Sequence, residues 1–372
     1  MPVWVGIREG YDIGFMEQKQ TVSSIPVMIL TGFLGAGKTS LLNHLLHADH
    51  NMRVAVLVND FGSINIDSQM VVGVEDNMIS LANGCICCTI RGDLLEAVLK
   101  LLDRQPPPEY IIIETSGVAD PASVASTFLL PQVQPYLHID SILTVFDAEQ
   151  GGDRLERELF FLAMDQIGVA DIVVINKTDL VSAERLAAVK SWVREIVPRA
   201  RLIETTHGRV PPALVLGAGT YDLRQLDQRT PRDVHVHEAG ASVDHAHPEP
   251  DHSLVFETWS WVSDQPLALK PLRRVVENLP LSIFRAKGFV WLADAPDRRA
   301  LLQVVGKRVT LTFGEPWGSQ TPITQIVVIG EHGGVDAADL QTRFDAALAA
   351  NNPPTELSRV KDAVLGWLRG RR

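Results

Sequence analysis

Short apolar runs alternate with amphipathic segments through the first two-thirds of the chain. The apolar runs predict buried strands over residues 25–30, 53–59, 78–82, 110–114, 141–147, 171–176 and 201–205. The amphipathic segments predict helices over residues 39–47, 92–104, 156–167 and 182–197. Strands that are apolar almost throughout and alternate with helices are typical of a parallel sheet covered on both faces. Residues 25–229 are therefore predicted to form a doubly wound, mostly parallel α/β domain.

The pattern changes at residue 230. Residues 230–252 have no apolar face, and acidic residues there surround a set of histidines: His235, His237, His245, His247 and His252. We interpret this segment as a linker whose histidines favour metal binding. Beyond it, the pattern predicts strands over residues 253–261, 283–292, 308–313 and 324–329, with helices over residues 267–279 and 337–349. Residues 253–350 are predicted to form a smaller α+β domain, flanked by a basic tail over residues 351–372, and residues 1–24 to form an N-terminal extension.

Composition narrows the function classes. The formal net charge of −11 argues against a nucleic-acid partner, because phosphate binding needs a basic surface. No apolar run approaches the roughly 18 residues that a membrane helix needs. The N-terminus lacks the basic and apolar regions of a signal peptide. We therefore expect a cytoplasmic protein that binds neither membranes nor nucleic acid.

The turn between the first predicted strand and the first predicted helix has the spacing of a P-loop. Gly32, Gly37, Lys38 and Thr39 fit the pattern G-x-x-x-x-G-K-[ST]. In such a loop, backbone N–H groups and a helix N-terminus surround phosphate oxygens. The lysine reaches the β- and γ-phosphates, and the hydroxyl ligates Mg²⁺. We expect the nucleotide to contact Gly32, Gly35, Ala36, Gly37, Lys38, Thr39 and Ser40.

A second motif predicts which base is bound. Asn176-Lys177-Thr178-Asp179 follows a predicted buried strand. In a P-loop protein, the carboxylate of such a motif accepts hydrogen bonds from two N–H donors of guanine, which adenine lacks. Asp179 is therefore predicted to bind the base, the stem of Lys177 to cover its ring and Asn176 to steady the loop, and GTP is favoured over ATP.

A third predicted strand ends in Glu114, and Gly117 follows three residues later. An acidic residue at that position can hold Mg²⁺ through water, and a glycine N–H can contact the γ-phosphate. We therefore assign Glu114 to catalysis with Lys38 and Thr39, and Gly117 to nucleotide binding.

The chain contains three cysteines, and all lie within four positions: Cys85, Cys87 and Cys88. Three thiolates this close together can converge on one soft or borderline metal ion such as Zn²⁺ and leave a fourth position open. A buried apolar turn and a redox-active C-x-C pair are the alternatives. His44, His47 and His50 recur every three residues and are interpreted as surface or capping residues.

Taken together, these motifs resemble those of the CobW-type GTPases. The resemblance includes the P-loop, Asn59-Asp60-Phe61-Gly62, Gly84-Cys85-Ile86-Cys87-Cys88, Glu114-Thr115-Ser116-Gly117, Asn176-Lys177-Thr178-Asp179 and Lys287-Gly288-Phe289-Val290-Trp291. It implies a metallochaperone, chiefly for zinc, with Cys85, Cys87 and Cys88 as metal ligands. The chain departs from the family at Asp60 and Ser63, where the family usually has glutamates, so any carboxylate contribution from that segment is in doubt.

The expected function is a GTP-hydrolysing metallochaperone that transfers zinc to a client metalloprotein. In this hypothesis, residues 59–92 couple the nucleotide to the thiolates. The alternatives are cobalt handling linked to cobalamin synthesis, a metal buffer or sensor with a structural nucleotide, and a small-molecule kinase. Whether the chain forms a homo-oligomer is left open.

Overall fold

The computed structural model describes most of the two predicted domains. The described residues are 24–48, 52–58, 78–80, 98, 100–131, 133–150, 157–216, 235–238 and 255–353. Within these ranges, no helix is both long enough and apolar enough to cross a bilayer.

The first domain is built on a sheet of seven parallel strands. These are β1 (Ile25–Gly32), β2 (Val54–Val58), β3 (Met78–Ser80), β4 (Tyr110–Glu114), β5 (Leu137–Asp147), β6 (Ile172–Asn176) and β7 (Arg201–Glu204). Their order in the sheet is β3-β2-β4-β1-β5-β6-β7. Because every pair is parallel, all carboxyl ends lie at one edge, which we call the carboxyl edge, and all amino ends lie at the opposite, amino edge.

Five helices with fully described bounds accompany this sheet, and residues 98 and 100–102 are also helical, within the predicted helix 92–104. The five helices are α1 (Lys38–His47), α2 (Pro121–Thr127), α3 (Arg157–Gly168), α4 (Ala183–Ile196) and α5 (Pro212–Val215). Strand β1 shows why both faces need cover: Val27 and Ile29 belong to one buried apolar cluster, whereas Met28 and Leu30 belong to another. Alternate side chains of a strand point to opposite faces, so an apolar strand of this kind is stable only between two layers.

The second domain contains an antiparallel sheet. Its described strands are β8 (His235–Glu238), β9 (Val255–Ser263), β10 (Ile283–Trp291), β11 (Arg298–Val305), β12 (Arg308–Pro316) and β13 (Thr324–Glu331), in the order β12-β11-β10-β13-β9-β8. Two helices, α6 (Leu269–Glu277) and α7 (Ala337–Ala346), supply side chains to the core on one face. There, Phe344 stacks on Trp261 with ring centroids 5.4 Å apart.

The predicted fold class is confirmed, and four elements differ from the prediction; one of them, α5, matches no predicted helix. His235–Glu238 forms β8, which pairs with β9, although residues 230–252 were interpreted as an irregular linker. Strand β11 and helix α2 were not predicted. The remainder of the linker, the N-terminal extension and most of the basic tail lie outside the described residues, so the domain boundaries stay predictions.

The second domain packs against the amino edge of the first sheet. Phe256, Phe284 and Ile329 join the apolar cluster that contains Tyr110, the first residue of β4. Polar contacts add to this packing: Arg201, the first residue of β7, donates from Nε to the Ile283 carbonyl at 2.6 Å. The carboxyl edge of the sheet is at the far end of the same strands.

A buried ion pair lies in the centre of this interface. Two hydrogen bonds of 3.0 Å run from Arg285 Nη2 to the carboxylate oxygens of Asp140, and both side chains are at most 3% exposed. The hydroxyl of Tyr110 donates to the same carboxylate at 2.7 Å. Burial, together with the Asp140 charge, raises the pKa of Tyr110, so the phenol stays protonated and remains a donor.

Replacing Arg285 with Met should destabilise the protein, because the buried Asp140 carboxylate would lose its cation. We expect the free energy of unfolding, measured in urea, to fall by about 3–5 kcal/mol. The control is Arg273→Met, which removes an exposed pair with Glu277 on α6 and should leave the unfolding curve nearly unchanged. Equal losses in the two variants would contradict this account.

Candidate nucleotide-binding site

The predicted P-loop connects β1 to α1 at the carboxyl edge. Gly32, Gly35 and Gly37 have φ angles of 136°, 75° and 101°, a region that L side chains rarely adopt. Space is also limited: a Cβ on Gly37 would lie 2.2 Å from Asn176 Nδ2. Because α1 begins at Lys38, the N–H groups of its first turn are next to the loop. The loop therefore fits a phosphate chain.

The ammonium group of Lys38 lies across this loop. Its Nζ donates to the carbonyl of Gly32 at 2.9 Å and to that of Phe33 at 3.3 Å, and the residue is only 7% exposed. Hydrogen bonds to a charged phosphate are stronger than those to a neutral carbonyl. A bound phosphate can therefore replace these carbonyl contacts.

Two oxygen ligands of the predicted magnesium site come together from separate elements. Thr39, at the start of α1, donates from Oγ1 to Oε1 of Glu114 at 3.2 Å. Glu114 is the last residue of β4 and is 2% exposed. Magnesium prefers hard oxygen ligands such as these, so the pair fits the predicted ion.

Gly117 lies against the P-loop. A Cβ on Gly117 would be 2.6 Å from the backbone nitrogen of Leu34, so a larger residue cannot occupy this position without a shift. From α3, the buried side-chain amide of Gln166 donates to the carbonyls of Gly117 at 3.1 Å and Ala119 at 3.3 Å. The loop after β4 is thus held between the P-loop on one side and Gln166 of α3 on the other.

The predicted base-binding motif follows β6. Asn176 donates from Nδ2 to the Ala36 carbonyl at 2.9 Å, and its Oδ1 accepts from the Gly208 N–H at 3.0 Å. Its side chain therefore joins the P-loop to the turn after β7. Asp179, by contrast, is exposed, as a group that binds a base must be.

Sequence reasoning missed three contributors to this edge. Asp147, the last residue of β5, forms an ion pair with Lys177 at 2.7 Å. Gln166 holds the loop that contains Gly117, as described above. The turn around Gly208 contacts the base motif and lies so close to α1 that a Cβ would be 2.7 Å from Leu41 N. Position at strand ends was the available signal for Asp147 and for this turn, whereas nothing in the sequence marks Gln166.

The histidines of α1 differ from each other. The ring of His44 donates from Nε2 to the Val210 carbonyl at 3.1 Å, and burial lowers its pKa below 6.5. His47 donates from Nδ1 to the Asn43 carbonyl at 2.8 Å. His47 is exposed, as the sequence interpretation expects, whereas His44 is half-buried against Val210 and His50 lies outside the described residues.

The predicted metal ligands Cys85, Cys87 and Cys88 lie outside the described residues, as do Asp60 and Ser63. Within the part of the chain that is described, no group of three or more His, Cys, Asp or Glu side chains could hold a metal ion. The thiolate site therefore stays a prediction.

Comparison with protein families matches both domains. Residues 26–204 match the family described as CobW/HypB/UreG, nucleotide-binding domain. Residues 256–348 match the family described as cobalamin synthesis protein cobW C-terminal domain. The two matches correspond to the two sheets of the structure.

Individual relatives match most of the chain. The zinc chaperone CobW of Sinorhizobium sp is 35% identical over 84% of this chain and 95% of its own length. The zinc chaperone YjiA of Escherichia coli is 32% identical, covering 83% of this chain and 95% of its own. The zinc-regulated GTPase metalloprotein activator 1 of Dictyostelium discoideum is 30% identical, covering 77% of this chain and 67% of its own length. Among solved structures, the Zn(II)-bound YjiA GTPase from Escherichia coli has a TM-score of 0.41 and 25% identity, covering 87% of this chain and 99% of that one.

The lowered pKa of His44 predicts a pH effect on stability. Because the folded-state pKa is below 6.5, the unfolded chain binds more protons here, and stability falls as the pH falls through that value. The variant His44→Gln removes this titration and keeps a donor for the Val210 carbonyl. Between about pH 7.5 and pH 5.5, it should lose less free energy of unfolding than the wild type.

Urea unfolding at the two pH values provides the measurement. His138, whose pKa burial also lowers, is present in both proteins, so part of the acid loss should remain in the variant. Equal acid losses in the variant and the wild type would rule out a contribution from His44.

Proposed function

Because this chain belongs to the CobW family of P-loop GTPases, we propose that it is a zinc metallochaperone that hydrolyses GTP and passes zinc to a client metalloprotein. The relatives that match most of its length are named zinc chaperones or a metalloprotein activator. The experiments below test the zinc, its coupling to GTP and the roles of individual residues.

Hydrolysis is assigned to the P-loop and the end of β4. Lys38 leaves its carbonyl partners to contact the phosphates, and the α1 N-terminus adds donors for them. Thr39 and, through water, Glu114 would hold Mg²⁺, which would supply positive charge against the phosphate oxygens. Gly117 gives its N–H to the γ-phosphate. Positioning and electrostatics are the main means of catalysis in such sites.

Guanine recognition is assigned to the motif after β6. The exposed Asp179 carboxylate accepts the two N–H donors of guanine, and the stem of Lys177 covers the ring. The Asn176 amide donates to the Ala36 carbonyl and accepts from the Gly208 N–H. Its role is to hold the base motif against the phosphate loop.

The observation that carries the coupling of zinc to GTP is a row of residues across the sheet. Ser80, the end of β3, is in register with Val58, the end of β2, and Val58 is in register with Glu114. Two strand spacings, about 10 Å, therefore separate Ser80 from Glu114, which is predicted to hold Mg²⁺ through water. The cysteine segment begins where this row ends.

Chain length restricts the distance to the thiolates. Cys85 follows Ser80 by five residues, so its Cα lies within about 17 Å of that of Ser80. The segment after β2 likewise begins beside Glu114. In our proposal, a change at the γ-phosphate acts through these strand ends on the chain that contains Cys85, Cys87 and Cys88, so that GTP stabilises the zinc-holding state and hydrolysis releases zinc.

Zinc affinity should depend on the nucleotide. Titrating the protein with zinc against a chromogenic chelator should give binding at least about 5-fold tighter with GTP–Mg²⁺ than with GDP–Mg²⁺ or no nucleotide. By linkage, zinc should tighten GTP binding by the same factor. Replacing all three cysteines by Ser should abolish the nucleotide-dependent binding.

A matched variant separates the cysteines from the histidines. His245→Asn with His247→Asn changes two histidines of the 230–252 segment and should keep the nucleotide effect. Equal zinc affinity in all three nucleotide states would refute the coupled mechanism and favour a metal buffer. Binding of cobalt but not zinc under the same conditions would favour cobalt handling.

The role of Lys38 distinguishes a GTP-driven chaperone from a metal buffer. Lys38→Ala should lower the rate of phosphate release from GTP by about 100-fold or more, because it removes a cation from the phosphates. It should also abolish the release of zinc that follows GTP hydrolysis, while nucleotide-free zinc affinity stays unchanged. Lys270→Ala, at an exposed position of α6, is the control and should hydrolyse GTP like the wild type. Wild-type zinc delivery by Lys38→Ala would favour the buffer.

A further inference from the structure

We propose that Asp147 is a positioning residue for guanine-nucleotide binding, because its carboxylate holds Lys177 where the lysine stem can cover the base. This inference rests on the proposed function, since it assigns Lys177 to a bound guanine nucleotide. The proposal adds Asp147, from strand β5, to the residues of the P-loop and the base-binding motif.

The place of Asp147 in the fold suits this role. Strand β5 lies between β1, which leads into the P-loop, and β6, which leads into the base motif. Its last residue, Asp147, is in register with Asn176, the last residue of β6. The backbone N–H of Ala148 donates to the Asn176 carbonyl at 3.0 Å. Asp147 therefore lies directly beside the start of the base motif.

Backbone donors fix one side of the carboxylate. Asp147 Oδ1 accepts from the N–H groups of Glu149 at 2.8 Å and Gln150 at 3.3 Å. The side chain is 6% exposed, whereas that of Lys177 is 29% exposed. Because two backbone groups hold the carboxylate, the more mobile partner is the lysine, and Asp147 determines its position.

The other carboxylate oxygen binds the lysine. Oδ2 accepts from Lys177 Nζ at 2.7 Å, a charge-assisted hydrogen bond. Lys177 itself has φ of 60° and ψ of 38°, so its backbone is in the left-handed region. Its long side chain would otherwise adopt many rotamers and would have to be ordered when the nucleotide binds. Ordering it beforehand lowers the entropic cost of binding.

If the Asp147–Lys177 pair were merely structural, replacing Asp147 would change stability but not nucleotide affinity. Asp171 provides a carboxylate for comparison. Asp171 lies at the amino edge and is 1% exposed. Its Oδ2 accepts from the Ile142 N–H at 2.9 Å and from Arg308 Nε at 3.0 Å. It therefore combines a backbone contact with a cation, as Asp147 does, but at the opposite end of the sheet.

The test compares GDP affinity with stability. Asp147→Asn keeps an oxygen that accepts from the Glu149 N–H, and it puts an NH2 donor group where Lys177 needs an acceptor. Using the full chain and fluorescent N-methylanthraniloyl-GDP, we expect its Kd to rise by about tenfold. Asp171→Asn should lower the melting temperature of the nucleotide-free protein and leave the Kd unchanged. Wild-type Kd in Asp147→Asn would overturn the proposal.

The double variant tests whether Asp147 acts through Lys177. Lys177→Met keeps an unbranched stem without the ammonium, and it should weaken GDP binding by a similar factor. In that background, adding Asp147→Asn should cause no further loss. Wild-type affinity in Lys177→Met, or an undiminished loss from Asp147→Asn in its presence, would overturn the proposal, even if Asp147→Asn alone folds poorly.

Wild-type measurements keep this inference separate from the function on which it rests. If the wild-type protein bound the fluorescent guanine nucleotide no better than its adenine counterpart, the assignment of guanine would fail. If the wild type preferred guanine but the variants bound the fluorescent GDP with wild-type Kd, only the role of Asp147 would fail.

Discussion

The side chain of Asn176 holds the carboxyl edge together. One amide joins two loops that are distant in the sequence, the P-loop through Ala36 and the turn after β7 through Gly208. Gly37 has no Cβ, which allows this amide to approach the loop so closely. A parallel sheet brings its carboxyl ends to one edge but does not fix the loops there relative to one another. In this protein, a few short polar contacts between loops do so.

Much of this edge was predictable because its residue types are constrained by chemistry. The P-loop requires glycines at defined spacing, and the base motif requires an exposed carboxylate after a buried strand. The resemblance to CobW-type GTPases is accordingly confirmed by family matches to both domains. Asp147 and Gln166 could not be predicted in the same way, because each acts on a residue from another strand or loop. Their partners follow only from the order of the strands.

The elements that the sequence analysis missed have physical explanations. Strand β8 is short and rich in polar residues, so its only strong determinant is pairing with β9. Strand β11 begins with two arginines, although its buried residues Ala300, Leu302 and Val304 alternate as a strand requires. Helix α2 has seven residues, only about two turns, so its periodic signal is weak, but Asp120 caps it and Pro121 begins it. The alternation in β11 and the capping residues of α2 were therefore visible in the sequence.

The packing between the two domains also determines what the first domain requires in order to fold. Asp140 and Tyr110 belong to the first sheet, yet the cation that neutralises Asp140 comes from β10. Phe256 and Phe284 complete the same apolar cluster from the second domain. A chain ending before β9 would lack the cation that pairs with Asp140 and would leave part of the first domain's apolar core open to water. We therefore expect the nucleotide domain to unfold together with the C-terminal half, as one thermodynamic unit despite the two separate sheets.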